Sequence, residues 1–376
     1  MPQHSTVRNV LLLYGTRPEA IKMAPVVAAL ELRPERFATT VCATAQHRRM
    51  LDQVQELFGL RADLDLDLMR PEQSPNDLAA RSFAALDHVL RDRSPDWVLV
   101  QGDTTTAMVG ALAAFHLGIR VGHVEAGLRT GDLQAPFPEE ANRRIIDLLA
   151  AALFAPTVRA REHLLAEGIA PERIFVTGNT VVDALVASTR RLPSAAEEQA
   201  VLVTVHRRES FGEPLRRIFT ALRELAETFP GVRWVYPVHP NPAVREPAHR
   251  LLDGLPNVEL HEPFDYLELL RRLRGCRLVL TDSGGLQEEA PTFGKPVLVL
   301  RDKTERPEGI EAGAAKLVGT TPERIVAETA RLLTDPREYA RMARAGNPYG
   351  DGRAAERIAA ILAGEEFVPF VAQGAA

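Results

Sequence analysis

Cysteine is nearly absent from this chain of 376 residues, which contains only Cys42 and Cys276. Both lie in apolar stretches without metal-ligand spacing, so the sequence predicts two reduced core residues of a cytosolic protein. Long apolar runs are also missing, and the first one, Val10–Tyr14, is far too short for a signal peptide core or a membrane span. An excess of positive charge is missing as well. The formal net charge of −5 argues against a general binder of nucleic acids or anionic membranes.

The glycine turns of the chain lack the two commonest nucleotide-binding motifs. Gly15–Glu19 and Ser283–Gly285 match neither the GxGxxG fingerprint nor the GxxxxGK[ST] phosphate loop. Both nevertheless place glycine just before a predicted helix, where backbone N–H groups can approach a phosphate closely, and Pro18 suits the first helical position. Each turn by itself is consistent with an anion site and equally with an ordinary strand-to-helix connection.

What the sequence does contain is a regular alternation of apolar runs and helical patterns. A chain of this length predicts two domains, because single hydrophobic cores rarely grow beyond about 300 residues. Short apolar strands that alternate with amphipathic helices predict parallel sheets covered on both faces, so the fold class is α/β. A glycine, a proline and several small residues within Gly178–Ala196 indicate a boundary between two such halves.

The strands are predicted from the apolar runs. Those of the first half are Val10–Tyr14, Ala38–Ala43, Trp97–Gln101, Arg120–Val124, Leu153–Ala155 and Ile174–Val176. Those of the second half are Val201–Val205, Arg233–Val238, Val258–Leu260, Leu278–Thr281, Val297–Leu300 and Lys316–Val318. The order of the strands within each sheet does not follow from the sequence.

Polar and charged residues collect directly after these strands. Asp103 follows one strand of the first half and Glu125 follows the next, while His206, His239 and Ser283 occupy similar places in the second half. In open parallel sheets, ligands bind outside the carboxyl ends of the strands, so this bias predicts a binding edge on each sheet. Two such edges that face each other would form a cleft, a common place for a ligand.

The stretch Val121–Arg144 has the highest density of such residues. Glu125 ends a buried strand, a glycine-rich loop follows, and Glu139 and Glu140 begin a helix that carries Arg143. A polar loop on a buried strand favours a functional site. Acidic residues in the first turn of a solvated helix, where the helix dipole favours them, would give the same pattern. The stretch alone does not decide between these interpretations.

Four single residues also have two interpretations each. Lys22 lies in an apolar helix and reaches either an anion or the solvent. Glu289 follows the second glycine turn and faces either a ribose or the solvent, and the sequence alone favours the solvent. His206 and His239 either contact a ligand or are ordinary histidines at strand ends.

Long motifs in a fixed order give these residues a family context. They include GTRPEAIKMAP (Gly15–Pro25), QGDTTT (Gln101–Thr106), GHVEAGLRTGD (Gly122–Asp132), FPEEANRR (Phe137–Arg144), HRRESFG (His206–Gly212), YPVHPNP (Tyr236–Pro242) and TDSGGLQEEAP (Thr281–Pro291). In these motifs and their order, the chain resembles the non-hydrolysing UDP-N-acetylglucosamine 2-epimerases of bacteria over nearly its whole length.

The resemblance implies a more detailed fold. We expect two Rossmann-like domains of the glycosyltransferase-B type, with parallel sheets that face a cleft. Residues 1–177, joined by the C-terminal helix at about 354–376, would form the N-terminal domain, and residues 178–353 the UDP-binding domain. The resemblance also implies a homodimer that needs neither a redox cofactor nor a catalytic metal.

The activity implied by the resemblance is the reversible epimerisation of UDP-N-acetylglucosamine (UDP-GlcNAc) to UDP-N-acetylmannosamine (UDP-ManNAc). UDP would leave C1, a bound 2-acetamidoglucal would form, and UDP would add back. This reaction needs carboxylates near the sugar and cations near the diphosphate. In a cytoplasmic enzyme it would supply ManNAc-type precursors for surface polysaccharide, and no nucleic acid or membrane partner is expected.

The family's functional positions can be carried over to this chain. The catalytic candidates are Asp103, Glu125, Glu139, His206, Lys22 and Arg143. The UDP-binding candidates are Arg17, Ser283, Gly284, Gly285 and Glu289. A second, allosteric site for UDP-GlcNAc would use Gln46, Glu140, Arg207 and His239. Which carboxylate serves which face of C2 does not follow from the sequence.

Three other functions share the expected fold and UDP site: a hydrolysing epimerase that releases free ManNAc, a UDP-sugar glycosyltransferase, and a non-catalytic UDP-sugar sensor. The complete set of Asp103, Glu125, Glu139 and His206 argues against a sensor. The lack of a recognisable acceptor groove or basic membrane-binding helix argues against a transferase.

Overall fold

A computed structural model describes residues 7–44, 54–70, 73–192, 198–207 and 210–372 of the chain. They form two compact units. The first comprises the described residues within Met1–Ser188 together with Gly350–Val371, and the second those within Thr189–Tyr349. Both units are built on parallel sheets, so the predicted α/β class with two parallel-sheet domains is confirmed.

The sheet of the first unit contains seven described strands. They are β1 (Arg8–Tyr14), β2 (Phe37–Ala43), β3 (Leu64–Asp65), β4 (Trp97–Gln101), β5 (Arg120–Val124), β6 (Ala152–Ala155) and β7 (Ile174–Val176). Their order is β3-β2-β1-β4-β5-β6-β7, and neighbouring strands are parallel. The order reverses direction between β1 and β4. The turns that follow these two central strands therefore meet at one switch point, where open sheets bind ligands.

Helices cover this sheet because each buries an apolar face against it. Their bounds are Arg17–Glu31, Pro75–Arg93, Thr105–His116, Glu139–Leu149, Val158–Ala166, Thr180–Thr189 and Ala354–Ala363. Thr16 and Thr104 cap the helices that follow β1 and β4, so both helices start directly at the switch point.

The second unit repeats the arrangement with six described strands. They are β8 (Ala200–Thr204), β9 (Arg233–Pro237), β10 (Val258–His261), β11 (Leu278–Thr281), β12 (Val297–Val299) and β13 (Ala315–Leu317). Their order is β10-β9-β8-β11-β12-β13, with all neighbours parallel. The switch point lies between β8 and β11, so the loops after these strands meet there.

The helices of the second unit are equally regular. Their bounds are Glu213–Thr228, Pro242–Leu252, Tyr266–Gly275, Gly284–Glu289, Pro307–Glu311, Pro322–Thr334 and Pro336–Ala343. The helix predicted after the second glycine turn continues from Glu289 as a 3-10 helix, Ala290–Phe293. Pro291 causes this change, because it lacks the N–H that an α-helix would require there.

The C-terminal helix packs within the first unit. The carboxylate of Asp183 accepts hydrogen bonds from the N–H groups of Ala354 (3.2 Å) and Ala355 (2.8 Å). Burial raises the pKa of Asp183 to about 6, although these two bonds lower it in part. By its contacts the first unit extends to Ser188. The domain limits derived from the sequence stay a prediction.

Two predictions from composition can be compared with the structure. Cys42 and Cys276 are both buried and form no disulfide, as expected of reduced core residues. In the described ranges, no helix has the length and apolar character needed to cross a membrane. The sequence also has a helical pattern at Arg48–Phe58, and the helix that it predicts lies partly outside the described residues.

Candidate active site

Glu19 joins the two turns at the switch point of the first sheet. Its carboxylate accepts hydrogen bonds from the N–H groups of Gly15 (3.0 Å) and Thr16 (2.6 Å) and from the hydroxyl of Thr104 (2.7 Å). Glu19 is only 2% exposed, and burial raises its pKa, while these hydrogen bonds act in the opposite direction. The turns after β1 and β4 are therefore held to each other through one buried side chain.

Asp103 lies on the turn after β4 and is held by the helix Glu139–Leu149. Its half-buried carboxylate is paired with the guanidinium of Arg143, whose Nε lies 3.1 Å from Oδ2. Asn142 donates a hydrogen bond of 2.9 Å to its carbonyl oxygen. Asp103 and Arg143, two of the predicted catalytic residues, are thus in direct contact, and both the backbone and the side chain of Asp103 are held by hydrogen bonds.

Glu125 directly follows β5 and has an uncommon backbone conformation. Its φ of +71° lies in the left-handed region, which costs energy for a residue with a side chain. The carboxylate is paired with the ammonium group of Lys22 and accepts a hydrogen bond of 2.7 Å from the side chain of Asn179. Lys22 is 8% exposed. The alternative that it extends to the solvent is therefore wrong.

The two glutamates that start the next helix have different surroundings. Glu140 is fully buried, and its carboxylate accepts hydrogen bonds from the N–H groups of Thr130 (3.1 Å) and Gly131 (3.3 Å). It also pairs with Arg143 and Arg144. Glu139 is half-buried, and no group in the described part of the chain donates a hydrogen bond to its carboxylate. Glu140 therefore shapes the loop, whereas Glu139 retains both oxygens for another donor.

Asp282 organises the switch point of the second sheet. Its carboxylate is completely buried and accepts hydrogen bonds from the N–H groups of His206 (2.9 Å) and Arg207 (2.8 Å) and from the hydroxyl of Ser210 (3.2 Å). The imidazole ring of His206 stacks on that of His239, with centroids 5.9 Å apart and planes inclined by 12°. Partial burial lowers the pKa of His239, although Asp282 opposes this.

The second glycine turn lies against a buried ionic network. Glu305 pairs with Arg301 (2.9 Å) and with Arg306, and Arg306 also donates to Glu288 (2.7 Å). Burial alone would raise the pKa of Glu305, but Arg306 and Arg301 hold it far below its usual value. The network touches Gly284, where an added Cβ would lie 2.5 Å from Nη1 of Arg306. A side chain at this position would have to displace the guanidinium of Arg306 within its ionic network.

The remaining predicted residues of the second unit have defined places. The N–H of Ser283 donates to the hydroxyl of Thr281 (2.9 Å), and the nearest atom to a Cβ added at Gly285 would be Oγ of Ser283, at 3.9 Å. Glu289 is 6% exposed and accepts a hydrogen bond of 3.2 Å from the hydroxyl of Tyr266. The expectation that Glu289 faces the solvent is therefore wrong. Arg207 approaches Glu305, at 3.6 Å.

Two other predicted residues, Arg17 and Gln46, have less structural detail. Arg17 is half-buried at the start of its helix, beside the first glycine turn. Gln46 lies outside the described residues. The roles assigned from the resemblance to Arg17, Glu139, His206, Ser283 and the other candidates stay predictions.

Several residues that shape the site were not among the predictions. Asn179 and Asp282 come soon after β7 and directly after β11, so the strand-end argument could have found both. Glu19 and Thr104 were visible only as a helix capping box and an N-cap. Their contact with each other depends on the adjacency of β1 and β4, which the sequence does not reveal.

The geometry of the first unit suits proton transfer. Two carboxylates, those of Asp103 and Glu125, are each paired with one cation. A third, that of Glu139, begins the helix that also carries Arg143. Carboxylates fixed in this way can donate or accept protons, and the neighbouring cations stabilise negative charge. Within the described ranges, no cluster of three or more His, Cys, Asp or Glu could hold a metal ion.

Two parallel α/β units with polar strand ends define a two-domain protein of the glycosyltransferase-B type. Comparison with known families is more specific. The family model described as UDP-N-acetylglucosamine 2-epimerase matches residues 29–363, and the chain belongs to this family.

Curated relatives agree with this assignment. The UDP-N-acetylglucosamine 2-epimerase of Salmonella typhimurium is 52% identical over 369 residues, covering 94% of this chain and 98% of that protein. The protein of the same name from Bacillus subtilis is 49% identical over 356 residues, covering 93% of each chain.

Solved structures give the same result. The chain is similar to the UDP-GlcNAc 2-epimerase of Neisseria meningitidis bound to UDP-GlcNAc, with a TM-score of 0.90, 45% identity and coverage of 94% of this chain and 99% of that one. It is also similar to the enzyme of Methanocaldococcus jannaschii in complex with UDP-GlcNAc and UDP. There the TM-score is 0.81 and the identity 33%, with coverage of 94% and 99%.

Proposed function

We propose that this chain interconverts UDP-GlcNAc and UDP-ManNAc by inverting the configuration at C2 of the sugar. The observation that carries the proposal is the pair of carboxylate–cation contacts at the strand ends of the first unit, Asp103 with Arg143 and Glu125 with Lys22. They occur in a chain of the UDP-N-acetylglucosamine 2-epimerase family. The chain is therefore an isomerase that acts on a nucleotide sugar.

The chemistry of C2 requires the nucleotide to leave first. The C2 hydrogen is not adjacent to a carbonyl group, so a base alone would remove it far too slowly. When the C1–O bond to UDP breaks, C1 gains oxocarbenium character and the C2 hydrogen becomes acidic. A base then takes the proton, a C1–C2 double bond forms, and 2-acetamidoglucal and UDP remain bound. Protonation of the opposite face of C2 and addition of UDP to C1 complete the inversion.

The carboxylates of the first unit are suited to the two proton transfers. Inversion needs a base on one face of C2 and an acid on the other, so two of Asp103, Glu125 and Glu139 would serve these roles. The strained backbone of Glu125 supports such a role, because strain of this kind persists where the surrounding structure enforces it. We propose that Lys22 and Arg143 hold these carboxylates in place. We also propose that His206 is a catalytic residue of the same reaction.

The diphosphate of UDP needs hydrogen-bond donors and a cation, and the ribose hydroxyls need a hydrogen-bond acceptor. We assign Ser283, the backbone N–H groups of Gly284 and Gly285, and the cation of Arg17 to the diphosphate. Glu289 would accept hydrogen bonds from the ribose hydroxyls. In support, the relatives from N. meningitidis and M. jannaschii were solved with UDP-GlcNAc, and a Staphylococcus aureus relative at 44% identity with UDP.

The finer parts of the proposal concern regulation and assembly. A second UDP-GlcNAc site would use Gln46, Glu140, Arg207 and His239, and binding there would activate the enzyme. A homodimer in the cytoplasm, which supplies ManNAc-type precursors for surface polysaccharide, completes the proposal. These parts rest on the family resemblance.

The test of the proposal is the identity of the products. Purified protein is incubated with UDP-GlcNAc alone, and separately with UDP-ManNAc and a trace of UDP-GlcNAc, and both reactions are followed by proton and phosphorus NMR. We expect both to reach the same mixture of the two UDP-sugars. Free ManNAc with stoichiometric UDP would instead indicate a hydrolysing epimerase. An unchanged UDP-GlcNAc would indicate a transferase without its acceptor, or a sensor.

A further inference from the structure

A buried histidine lies directly beneath the turn that carries Asp103. His123 belongs to β5, and its side chain is completely buried. Nε2 lies 2.8 Å from the carbonyl oxygen of Gly102, and Nδ1 lies 2.6 Å from Oδ1 of Asp147. A carbonyl oxygen can only accept a hydrogen bond, so Nε2 carries a hydrogen and donates it to Gly102.

Asp147 connects this histidine to the loop that follows Glu125. Its carboxylate, 1% exposed on the helix Glu139–Leu149, also accepts from the N–H of Gly127 (3.2 Å) and pairs with Arg129 (2.8 Å). Burial alone would raise the pKa of Asp147, but His123 and Arg129 lower it overall. The buried carboxylate of Asp147 thus contacts His123, Gly127 and Arg129 at once.

The two ends of this connection adjoin the two paired carboxylates of the site. Gly102 immediately precedes Asp103, and Gly127 follows Glu125 by two residues. Only glycine fits at residue 127, because its φ is +85° and an added Cβ would lie 2.3 Å from the carbonyl oxygen of Ala160. The pair His123–Asp147 thus links the turn after β4 to the loop after β5.

We propose that His123 and Asp147 are positioning residues that set the placement of Asp103 relative to Glu125 for the C2 chemistry. This inference rests on the proposed function. Neither residue needs to touch the substrate, since His123 acts through the carbonyl of Gly102 and Asp147 through His123 and the N–H of Gly127. A displacement of about 1 Å at a reacting group can cost about 100-fold in rate.

The choice of residue types supports positioning over simple packing. Val121, which lies on the same face of β5 as His123, is apolar and buried, and burying a polar pair beside it carries a desolvation cost. An apolar side chain at residue 123 would fill the space but would leave the carbonyl of Gly102 without its donor. The hydrogen bonds to Gly102 and Gly127 therefore account for a polar pair at this buried place.

Two substitutions of His123 separate its two contacts. The amide nitrogen of Gln in His123→Gln takes the place of Nε2 and can still donate to Gly102, whereas His123→Asn keeps only a donor near Asp147. We expect His123→Asn to lower kcat about 10- to 100-fold with KM changed by less than about threefold. His123→Gln should restore most of the lost kcat.

A matched control accounts for loss of stability. Leu86→Ala opens a cavity beside the helix Pro75–Arg93 in the core of the first unit, and lowers the melting temperature without removing a polar group of this network. If Leu86→Ala and His123→Asn have comparable melting temperatures, the kcat of Leu86→Ala per folded molecule should still equal that of the wild type. Equal kcat values for His123→Asn and His123→Gln, or a loss in His123→Asn no larger than in Leu86→Ala, would overturn the proposal.

A second measurement does not depend on the activity. The amide of Gly102 donates a hydrogen bond of 3.0 Å to the carbonyl of Val124, which ties the same turn to β5. His123→Asn should speed amide hydrogen exchange at Gly102, while His123→Gln leaves it near the wild-type rate. If the wild-type protein makes no UDP-ManNAc, the proposed function fails by itself. The positioning claim then depends on exchange, and equal rates in the two variants contradict it.

Discussion

The switch points of the two sheets use carboxylates in opposite ways. In the first unit, Asp103 and Glu125 are each held by a cation. In the second unit, Asp282 and Glu305 are almost completely buried and fully engaged with backbone N–H groups and arginines. We propose that Asp103 and Glu125 serve the chemistry. Asp282 and Glu305, like Glu19 and Glu140 of the first unit, instead hold the structure together, because their carboxylates bind several backbone N–H groups or arginines.

The difference predicts different consequences of the same kind of substitution. Where a carboxylate is proposed to act on the substrate, the variant with the corresponding amide should react slowly even in its folded fraction. Where a carboxylate holds buried arginines or loops, its amide should destabilise the protein and affect turnover mainly through the folded fraction. The groups that bind each carboxylate therefore predict whether its substitution affects mainly the rate or mainly the stability.

The largest effect is expected for the carboxylates of the first unit. Asp103→Asn and Glu125→Gln keep the shape of the side chain, and each should lower kcat about 10²–10⁴-fold, because general acid–base groups supply this much. Steady-state rates of UDP-ManNAc formation measure the loss. Asp87→Asn, in an exposed pair on a helix of the same unit, is the control and should keep full activity. Wild-type kcat in both site variants would contradict their assignment.

The next largest effect is expected for the buried network of the second unit. Glu305→Gln leaves Arg301 and Arg306 without their shared carboxylate, and should lower the free energy of unfolding by about 3–5 kcal/mol. Urea denaturation at neutral pH measures it. Glu227→Gln, in an exposed pair with Arg223, should cost about 0–1 kcal/mol. Equal losses in the two variants would remove the distinction between buried and exposed carboxylates.

The same variant has a defined pH dependence. The pKa of Glu305 is lowered in the folded state, so its stabilisation is complete above the unfolded value of about 4.3. It is lost as the pH falls through the lower folded value. The difference in unfolding free energy between wild type and Glu305→Gln should therefore be largest near neutral pH and shrink on acidification below about pH 4. A difference that grows on acidification would contradict the ionic network.

An intermediate effect is expected from the nucleotide itself. UDP at about 100 times its dissociation constant should stabilise the protein by roughly 2.7 kcal/mol, because it binds the folded state alone. Thermal unfolding with UDP, and with NAD as the control dinucleotide, measures the shift. A melting temperature raised by NAD and unmoved by UDP would contradict the nucleotide assignment.

The smallest effect is expected at the second glycine turn, where the chain offers two adjacent glycines. An added Cβ at Gly284 would overlap the guanidinium of Arg306, whereas at Gly285 its nearest neighbour is Oγ of Ser283 at 3.9 Å. Gly284→Ala should cost about 1–3 kcal/mol of stability, as overpacking does, and Gly285→Ala should cost less. Thermal unfolding of the two variants decides the comparison, and a larger loss in Gly285→Ala would contradict it.

The sequence predicted most strands because their apolar runs are short and clearly bounded. The bounds of β4, β5, β7 and β11 agree with the predictions. β3 was missed because two residues, Leu64–Asp65, are too short to show a periodicity, and the helix Pro307–Glu311 was missed because it has little more than one turn. Strand order was not predictable, since it depends on which strands pair.

The sequence predicted where the candidate site lies, but not which side chains contact each other within it. The strand-end rule selected Asp103, Glu125, His206 and Ser283, yet it gave no partner for any of them. Lys22 pairs with a residue more than 100 positions away, and this contact exists only because their strands and helices pack together. Burial of Glu289 escaped prediction for the same reason.

The measurement that tests the central claim most directly is the fate of the C2 hydrogen. The protein is incubated with UDP-GlcNAc in D2O, and the UDP-ManNAc formed is examined by proton NMR and mass spectrometry. If UDP departs and a carboxylate of the first unit exchanges the C2 proton with the solvent, the product carries deuterium at C2. The signal of that hydrogen then disappears and the coupling to its neighbours collapses. UDP-ManNAc that retains its hydrogen at C2 in full would contradict elimination, and with it the role proposed for these carboxylates.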